Sequence, residues 1–328
     1  MKDKILILVE NYNLGGVKST VDALIHSELK DKFEFKVLSI KEIDFIKDFQ
    51  PKIILFNVVN TWRNILKLLS IKLKNTYTKI IIIEHHYSRC FEQYNVPNLS
   101  RFHLMLKLSY SLADHVISIS QNQFEWMLQN RLLPSHKVSV IESCRLLEKF
   151  FAIPSKPIHK PIILGAYGRF CLQKGFDVLL KAMKLVSPAQ VTLLLEGEGA
   201  LESELKQLAQ GLDNVRLLGR VNDVPSFLEK CDAVVIPSIW EPWGLVCLEA
   251  KAAGKPIIAS DVDGLSEQVY NCGILVPPQD PVKLAQAITS LSNQDLEIWG
   301  NGGRESVKNA WQNYIIKLET LIEEILEL

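Results

Sequence analysis

The sequence predicts an α/β protein with two doubly wound domains, each a parallel sheet that helices cover on both faces. Short runs of β-branched and apolar residues alternate with helical patterns in two series, one before and one after residues 143–160. Such alternation favours parallel strands joined by crossover helices. Residues 143–160 lack a regular hydrophobic period and contain Pro154 and Pro157, which is typical of a linker. We therefore expect a first domain at 1–150 and a second at 151–308.

Composition and charge limit the classes of function. The chain has 328 residues, of which 48% are hydrophobic and 23% charged, as in globular proteins with a buried core. Its formal net charge is zero, so no nucleic-acid partner is predicted. Residues 1–150 nevertheless carry 21 Lys plus Arg against 15 Asp plus Glu, and this excess suggests an anionic partner for the first domain.

The cysteines and the N-terminus bear on compartment. Six scattered cysteines without a Cys-x-x-Cys pair predict no zinc site and fit a reducing environment. The N-terminal apolar run is too short for a secretory leader, and no stretch approaches the roughly 18 apolar residues of a spanning helix. These features predict a cytoplasmic protein.

The first domain begins with a buried strand at residues 4–9 and a turn that contains Gly15 and Gly16. Glycines at this place let the backbone approach a ligand closely. A helix follows, and the remaining strands are predicted at FEFKVLSI, KIILFNVV, KIIIIE, HVISIS and KVSVIE. The run KIIIIE leads into His85 and His86. Because side chains alternate along a strand, only one of the two faces inward, and we favour His86.

A basic stretch, residues 61–79, separates two of these strands. It has five basic residues, and no acidic residue occurs between Asp48 and Glu84. Its apolar side chains share one helical face: Trp62, Ile65, Leu66, Leu69 and Leu73. One interpretation is a domain helix that packs this face on the sheet and leaves its basic side in solvent. The other is a patch, joined by residues 102–113, that meets anionic lipid or a phosphate-linked acceptor.

The second domain carries charged loops at its strand ends. After the strand PIILGAY, Arg169 and Lys174 lie in a glycine-bounded loop, where a guanidinium fork and an ammonium can reach a diphosphate. The strand DAVVIPS leads to a loop with Glu241, and the next helix contains Glu249 and ends at Gly254. A ligand is expected at this strand end and helix N-terminus, where free N–H groups and the helix dipole favour phosphate.

Two of these segments resemble a known family. PSIWEPWGLVCLEA resembles the Glu-x7-Glu signature of the retaining family 4 glycosyltransferases, with Glu241 and Glu249 as its glutamates. GRFCLQKG resembles the diphosphate clamp of the same family, and the resemblance extends over residues 160–290. It implies the GT-B architecture, in which two Rossmann-like domains face a cleft. A C-terminal helix, residues 309–328, is then expected to cross back onto the first domain.

The resemblance also implies roles for individual residues. Catalytic roles fall to Glu241 and His86 near the donor sugar, and to Arg169 and Lys174 on the diphosphate. Glu249 is expected to bind both ribose hydroxyls, since a carboxylate offers two parallel acceptors. Backbone atoms complete the expected nucleotide site at Gly15, Gly16, Gly197, Val221, Trp243, Gly244 and Leu245.

One segment departs from the family. Glu142, Ser143 and Cys144 stand where many members carry Pro-Asn-Gly. A ligand contact usually drawn from that turn is therefore in doubt for this chain.

The implied function is transfer of a hexose-type sugar from a nucleotide diphosphate sugar to a glycan or lipid-linked acceptor of surface polysaccharide synthesis. UDP is favoured over GDP, and retention without metal ion or bound cofactor is part of the resemblance. Two alternatives stay open: a nucleotide-sugar-binding relative without turnover, and a GT-B epimerase. Peripheral contact of the first domain with an anionic membrane is a further hypothesis.

Overall fold

Residues 2–10 and 15–327, which the computed structural model describes, form two six-stranded parallel sheets. The chain divides into a first unit, residues 1–146 with 310–328, and a second unit, residues 147–309. The predicted α/β fold class with two doubly wound sheets is confirmed. Across the described residues, every helix is too short or too polar to span a membrane.

The sheet of the first unit is built from the predicted apolar runs. Its strands are β1 (Asp3–Val9), β2 (Phe33–Ser39), β3 (Ile53–Asn57), β4 (Lys79–Glu84), β5 (His115–Ser118) and β6 (Val138–Val140). Their order is β2-β1-β3-β4-β5-β6. The order reverses between β1 and β3, and doubly wound sheets bind ligands in the crevice at such a switch point.

Helices connect these strands and begin where polar residues cap them. The helices are α1 (Gly15–Ile25), α2 (Ile46–Phe49), α3 (Trp62–Lys74), α4 (Arg89–Asn95), α5 (Leu99–Leu112) and α6 (Gln121–Gln129). Side chains that accept a hydrogen bond from the first turn fix four of these starts: Thr61, Ser88, Asn98 and Ser120. Gly15 and Gly16 open α1, and residues 11–14 of the predicted turn before them lie outside the described residues.

Of the face expected to pack on the sheet in one of the two interpretations of α3, only Ile65 is buried, and Trp62, Leu66, Leu69 and Leu73 are exposed. The buried face instead consists of Asn64, Ile65, Leu68 and Ile71. α3 has a second apolar stripe opposite the first, and the side-chain amide of Asn64 donates to Val59 O (2.9 Å) on the sheet side. That hydrogen bond satisfies the buried amide of Asn64, and the stripe with Leu66 and Leu73 faces outward.

The second sheet has the strand order of the dinucleotide-binding fold. Its strands are β7 (Ile162–Tyr167), β8 (Val191–Glu196), β9 (Val215–Gly219), β10 (Ala233–Ile236), β11 (Ile257–Ser260) and β12 (Gly273–Val276). Their order is β12-β11-β10-β7-β8-β9, so the switch point lies between β7 and β10. The predicted charged loops follow these two strands.

Helices of the second unit begin inside the predicted linker. They are α7 (Glu148–Phe151), α8 (Phe176–Met183), α9 (Glu202–Ala209), α10 (Val224–Lys230), α11 (Leu245–Ala252), α12 (Asp263–Gln268), α13 (Pro281–Ser290) and α14 (Leu296–Ser306). α7 was not expected, because four residues show no helical period. Phe150 is 2% exposed and α7 packs on α11, which explains why the unit boundary falls before it.

The last helix, α15 (Ala310–Glu327), belongs to the first unit. Its buried face consists of the six side chains Tyr314, Ile315, Leu318, Leu321, Ile322 and Ile325, and Trp311 is half-buried. Ion pairs join Lys317 to Glu142 and Lys32 to Glu323 within this unit.

Candidate functional site

Four loops of the second unit meet at the carboxyl edge of its sheet. The loop after β7 carries Arg169 and Lys174, and the loop after β8 carries Gly197. Val221 follows β9, and the loop after β10 carries Glu241. Because β7 and β10 flank the switch point, the first and last of these loops border the crevice between them.

A largely buried ion pair spans this crevice. The ammonium of Lys174 donates to Glu241 Oε2, and the two side chains are 15% and 11% exposed. Ser238 Oγ donates to the same oxygen (3.2 Å). The backbone N–H of Glu241 donates to Asp263 Oδ2 (3.1 Å), at the start of α12. The pair therefore holds a cation and an acceptor carboxylate side by side at the place where the strand order reverses.

Gly175 fixes the loop that carries Lys174 against the end of β10. It has φ +60°, and a Cβ atom there would lie 2.1 Å from Pro237 O. The backbone N–H of Ile239 donates to Gln173 O (2.8 Å), which ties the same two loops together. Only glycine permits this approach, so the backbone of the loop that carries Lys174 is held beside the loop that carries Glu241.

Gly197 has a packing role in the neighbouring loop. A Cβ atom on it would meet Gly168 O at 2.1 Å and the ring of Phe170 at 2.4 Å. The N–H of Gly197 donates to Gly219 O (2.6 Å), which brings the β8 loop beside the segment that leads to Val221. The expected contact of Gly197 and Val221 with a nucleotide stays a prediction.

Glu249 lies inside the helix and not in solvent. Its side chain is buried, and Tyr167 at the end of β7 donates its hydroxyl to Glu249 Oε2 (2.6 Å). The hydrogen bond from Tyr167 holds this carboxylate near the end of β7, and the expected contact of Glu249 with a ribose stays a prediction.

The N-terminus of α11 completes this edge. Gly244 precedes the helix with φ +96°, and its backbone leaves the first turn of α11 without a side-chain cap. The side-chain amide of Gln268 donates to Trp243 O (2.5 Å) and so fixes the turn. The backbone N–H groups of Leu245 and Val246 are thus available to an anionic oxygen.

Arg169 is placed differently from Lys174. Its side chain is exposed, and it forms no ion pair with any of the described residues. The two predicted phosphate ligands therefore share a loop, but only Lys174 is held in the crevice.

The first unit carries a cavity at its own switch point. Ile7, Asn57, His85 and Ser143 are among its lining residues. His85 Nε2 donates to Asn57 Oδ1 (2.8 Å), and Ser143 Oγ approaches His85 Nδ1 (3.5 Å). Burial, and to a lesser degree His86, lowers the pKa of His85 to about 3. The imidazole is therefore neutral at physiological pH.

A buried carboxylate shapes the turn that holds the two histidines. Glu84 is 1% exposed and accepts through Oε1 from the backbone N–H groups of His86 (2.9 Å) and Tyr87 (3.2 Å). Its Oε2 accepts from Asn60 Nδ2 (2.7 Å) and from the Tyr110 hydroxyl (3.0 Å). Of the two histidines, the cavity lining in the described part includes His85 and not His86. The assignment of the donor-sugar contact to His86 stays a prediction.

Several residues of these sites carry no signal in the sequence. Tyr167 and Ser238 are single polar side chains at strand ends, and Asp263 and Gln268 lie in a later helix. The only sequence feature that could have indicated Tyr167 and Ser238 is their position at the ends of predicted strands.

Within residues 2–10 and 15–327, no group of three His, Cys, Asp or Glu is arranged to hold a metal ion.

Known proteins match both the sequence and the fold. Residues 161–294 match the family model for glycosyl transferases group 1. An uncharacterized glycosyltransferase of Methanocaldococcus jannaschii is 34% identical over 168 residues, which cover 48% of this chain and 47% of that protein. The chain spans about half the length of such curated relatives.

Two further proteins match over a larger share of the chain. The N,N'-diacetylbacillosaminyl-diphospho-undecaprenol alpha-1,3-N-acetylgalactosaminyltransferase of Campylobacter jejuni is 28% identical over 84% of this chain and 75% of its own length. Among solved structures, Anabaena HepE in complex with UDP and glucose has a TM-score of 0.78 and 19% identity, over 97% of this chain and 99% of that one.

Proposed function

We propose that this chain is a group 1 glycosyltransferase and that it moves a hexose-type sugar from a nucleotide diphosphate sugar to a glycan or lipid-linked acceptor. The observation that carries the proposal is the Lys174–Glu241 ion pair at the switch point of the second sheet. Donor binding is assigned to this edge, and acceptor binding to the first unit by the family resemblance.

Each group at the second edge has a function in donor binding. Lys174 and the exposed Arg169 supply positive charge for the diphosphate, together with the uncapped N-terminus of α11. Glu249, fixed by Tyr167, accepts from the ribose hydroxyls. Glu241 accepts from donor-sugar hydroxyls while it shares Lys174 with the diphosphate. HepE, which has the same fold, is a UDP complex, and UDP is the favoured nucleotide here.

We assign the reaction to retention of configuration without a metal ion. Negative charge grows on the departing diphosphate, and Lys174 and Arg169 stabilise that charge. Because the acceptor attacks the face from which the diphosphate leaves, a diphosphate oxygen takes the acceptor proton. Catalysis then consists of positioning and electrostatic stabilisation.

A lipid-linked acceptor in surface polysaccharide synthesis is the preferred acceptor class. The Campylobacter relative is named for an acceptor carried on diphospho-undecaprenol. All six cysteines lie in the described part of the chain and none forms a disulfide, which fits a reducing compartment.

The test is calorimetric titration with UDP and with GDP in EDTA, on wild type and on Lys174→Ala. We expect one nucleotide to bind wild type with micromolar Kd and to bind Lys174→Ala at least tenfold more weakly. A charged hydrogen bond of about 1.5–3 kcal/mol sets that ratio. Lys181→Ala removes an exposed lysine paired with Asp177 and should leave Kd unchanged.

The outcome also separates the competing functions. Equal binding by wild type and Lys174→Ala, or binding that EDTA abolishes, contradicts the proposed donor site. Nucleotide binding without sugar transfer to any polyprenyl-diphosphate glycan indicates a non-catalytic relative. Interconversion of the donor sugar without acceptor indicates an epimerase.

A further inference from the structure

The outward face of α3 is apolar along its whole length. Trp62, Leu66, Leu69 and Leu73 recur at intervals of four, three and four residues, so they form one stripe on the helix. Leu66 is 68% exposed and Leu73 69% exposed. The opposite face of the same helix is the one that packs in the core. Among the described residues, packing in the core of the first unit therefore does not account for the apolar side chains at Leu66 and Leu73.

The neighbouring helix α5 extends this apolar surface. The crossovers β3–α3–β4 and β4–α5–β5 advance in one direction across the sheet, so α3 and α5 cover the same sheet face. The two helices pack together, and Lys72 Nζ on α3 donates to Leu112 O at the end of α5 (2.7 Å). α5 exposes Leu104 (51%) and Leu108 (41%). We call these six apolar side chains on α3 and α5, with the cations that flank them, the α3–α5 surface.

The charged residues of α3 and α5 themselves are all basic, and the acidic neighbours Asp114 and Glu92 pair with Lys72 and His103. Neither helix contains an acidic residue. Four of its cations are exposed and form no ion pair with any described residue: Arg63, Lys74, Arg101 and Lys107. Exposed leucines bordered by unpaired cations are the composition of an interfacial helix, in which leucines enter the acyl boundary and cations meet anionic headgroups.

We propose that the α3–α5 surface docks the protein on a bilayer that contains anionic lipid. Charge complementarity selects this occupant over a second copy of the chain, because two such surfaces face to face would bring cations against cations. Trp62 stands at the N-terminal end of the stripe, and an indole suits the headgroup region. This docking needs no nucleotide, so its test does not depend on the proposed transferase activity.

The experiment is sedimentation of the full chain with two kinds of vesicle. One is phosphatidylcholine alone, and the other has about a third of it replaced by phosphatidylglycerol. We expect at least tenfold more protein bound to the anionic vesicles at low salt, with the excess lost at high salt. Absence of binding to anionic vesicles at low salt overturns the proposal in favour of a protein partner, and equal binding to both vesicles overturns its electrostatic half.

Variants locate the contact. Leu66→Ser with Leu73→Ser removes the most exposed leucines, and Arg63→Gln with Lys107→Gln removes cations from both helices. Each pair should reduce binding at least fivefold. These side chains face solvent, so the variants should fold, which circular dichroism and an unchanged Kd for the nucleotide would verify.

Matched controls lie on the second unit. Leu185 (60% exposed) and Ile298 (65% exposed) are comparable apolar side chains, and Lys184 and Lys230 are comparable cations. Leu185→Ser with Ile298→Ser, and Lys184→Gln with Lys230→Gln, should bind vesicles as wild type does. Equal losses in the control pairs and the α3–α5 pairs would overturn the assignment to this surface.

Discussion

At the carboxyl edge of the second sheet, Lys174 and Glu241 form a largely buried ion pair, whereas at the corresponding edge of the first sheet His85 is neutral between Asn57 and Ser143. Both edges lie at the point where the strand order reverses. The same topological place therefore supports a charged site in one unit and a neutral one in the other. The fold provides the crevice, and the loop residues decide its chemistry.

The difference lies in how each loop is held. In the second unit, Gly175 allows the backbone of the Lys174 loop to lie against Pro237 O at the end of β10, which brings Lys174 and Glu241 to the same crevice. In the first unit, the buried carboxylate of Glu84 fixes the turn of the two histidines through backbone N–H groups. A charged site needs rigid backbone to keep its charges paired, because an unpaired buried charge is costly.

The largest expected effect is the loss of stability in Gly175→Ala, which disturbs the close backbone contact between the Lys174 loop and the end of β10. The Cβ atom would meet Pro237 O at 2.1 Å in a backbone conformation of φ +60°. Gly211→Ala is the matched control, because Gly211 has φ +77° and open space around it. We expect Gly211→Ala to lower the free energy of unfolding by about 1 kcal/mol from strain alone, and Gly175→Ala to lower it by about 3 kcal/mol or more. Urea denaturation measures both, and equal losses would contradict the close approach of the two loops.

Glu241→Ala should have the next largest effect, on turnover. Removing the carboxylate takes away the acceptor for the donor sugar, and we expect turnover to fall about a hundredfold. The Lys174 ammonium then lacks its partner, so a nucleotide diphosphate becomes its counter-charge. Nucleotide Kd should therefore stay equal or become smaller, and the nucleotide should raise Tm more than in wild type.

The control for Glu241→Ala is Glu202→Ala, which breaks the exposed pair with Lys206. It should change neither turnover nor Kd, because exposed pairs contribute little. A weaker nucleotide Kd in Glu241→Ala than in wild type would mean that Glu241 organises the diphosphate site and has no separate part in sugar binding.

His85→Gln tests whether His85, at the carboxyl edge of the first sheet, is neutral in the native protein. The measured quantity is the pH dependence of the free energy of unfolding. The native pKa of His85 is about 3, so between that pH and its ordinary pKa near 6.5 the unfolded chain binds a proton that the native chain does not. The free energy of unfolding of wild type therefore falls as pH drops through this range. His85→Gln should have a shallower slope, by up to about 1.4 kcal/mol per pH unit.

A second histidine serves as the comparison for that slope. Burial and Lys137 lower the pKa of His115 to about 4. His115→Gln should therefore also flatten the curve between about pH 4 and its ordinary pKa near 6.5. Urea denaturation at a series of pH values measures both variants, and an equal slope for wild type and His85→Gln would mean that the native pKa of His85 is its ordinary one.

The strands and three of the site residues can be predicted from the sequence alone. Alternating apolar runs predict the strands, because parallel strands buried on both faces need continuous apolar sequence. The Glu-x7-Glu pattern indicates Glu241 and Glu249, and the glycine-bounded loop indicates Lys174. Both patterns consist of given residue types at a fixed spacing, which can be recognised in the sequence alone.

Features that depend on tertiary contacts were not predicted. α3 has two apolar stripes, and the sequence alone does not show that the one with Ile65, Leu68 and Ile71 is buried. Tyr167 is one tyrosine among eight in the sequence until β7 brings it to Glu249. The short helix α7 has no period that a sequence pattern can reveal.

The smallest expected effect is the change of nucleotide Kd in Tyr167→Phe, which removes one hydroxyl from the site at the carboxyl edge of the second sheet. That hydroxyl donates to Glu249 Oε2 at 2.6 Å, and the ring itself packs edge-on against Phe227 at 5.4 Å. Phenylalanine keeps the packing and loses about 1 kcal/mol of hydrogen bonding, so we expect nucleotide Kd to rise about fivefold with little change in turnover. Tyr270→Phe, at a tyrosine that is 80% exposed, is the control. If turnover fell while Kd stayed constant, Tyr167 would act on the reacting sugar and not through the orientation of Glu249.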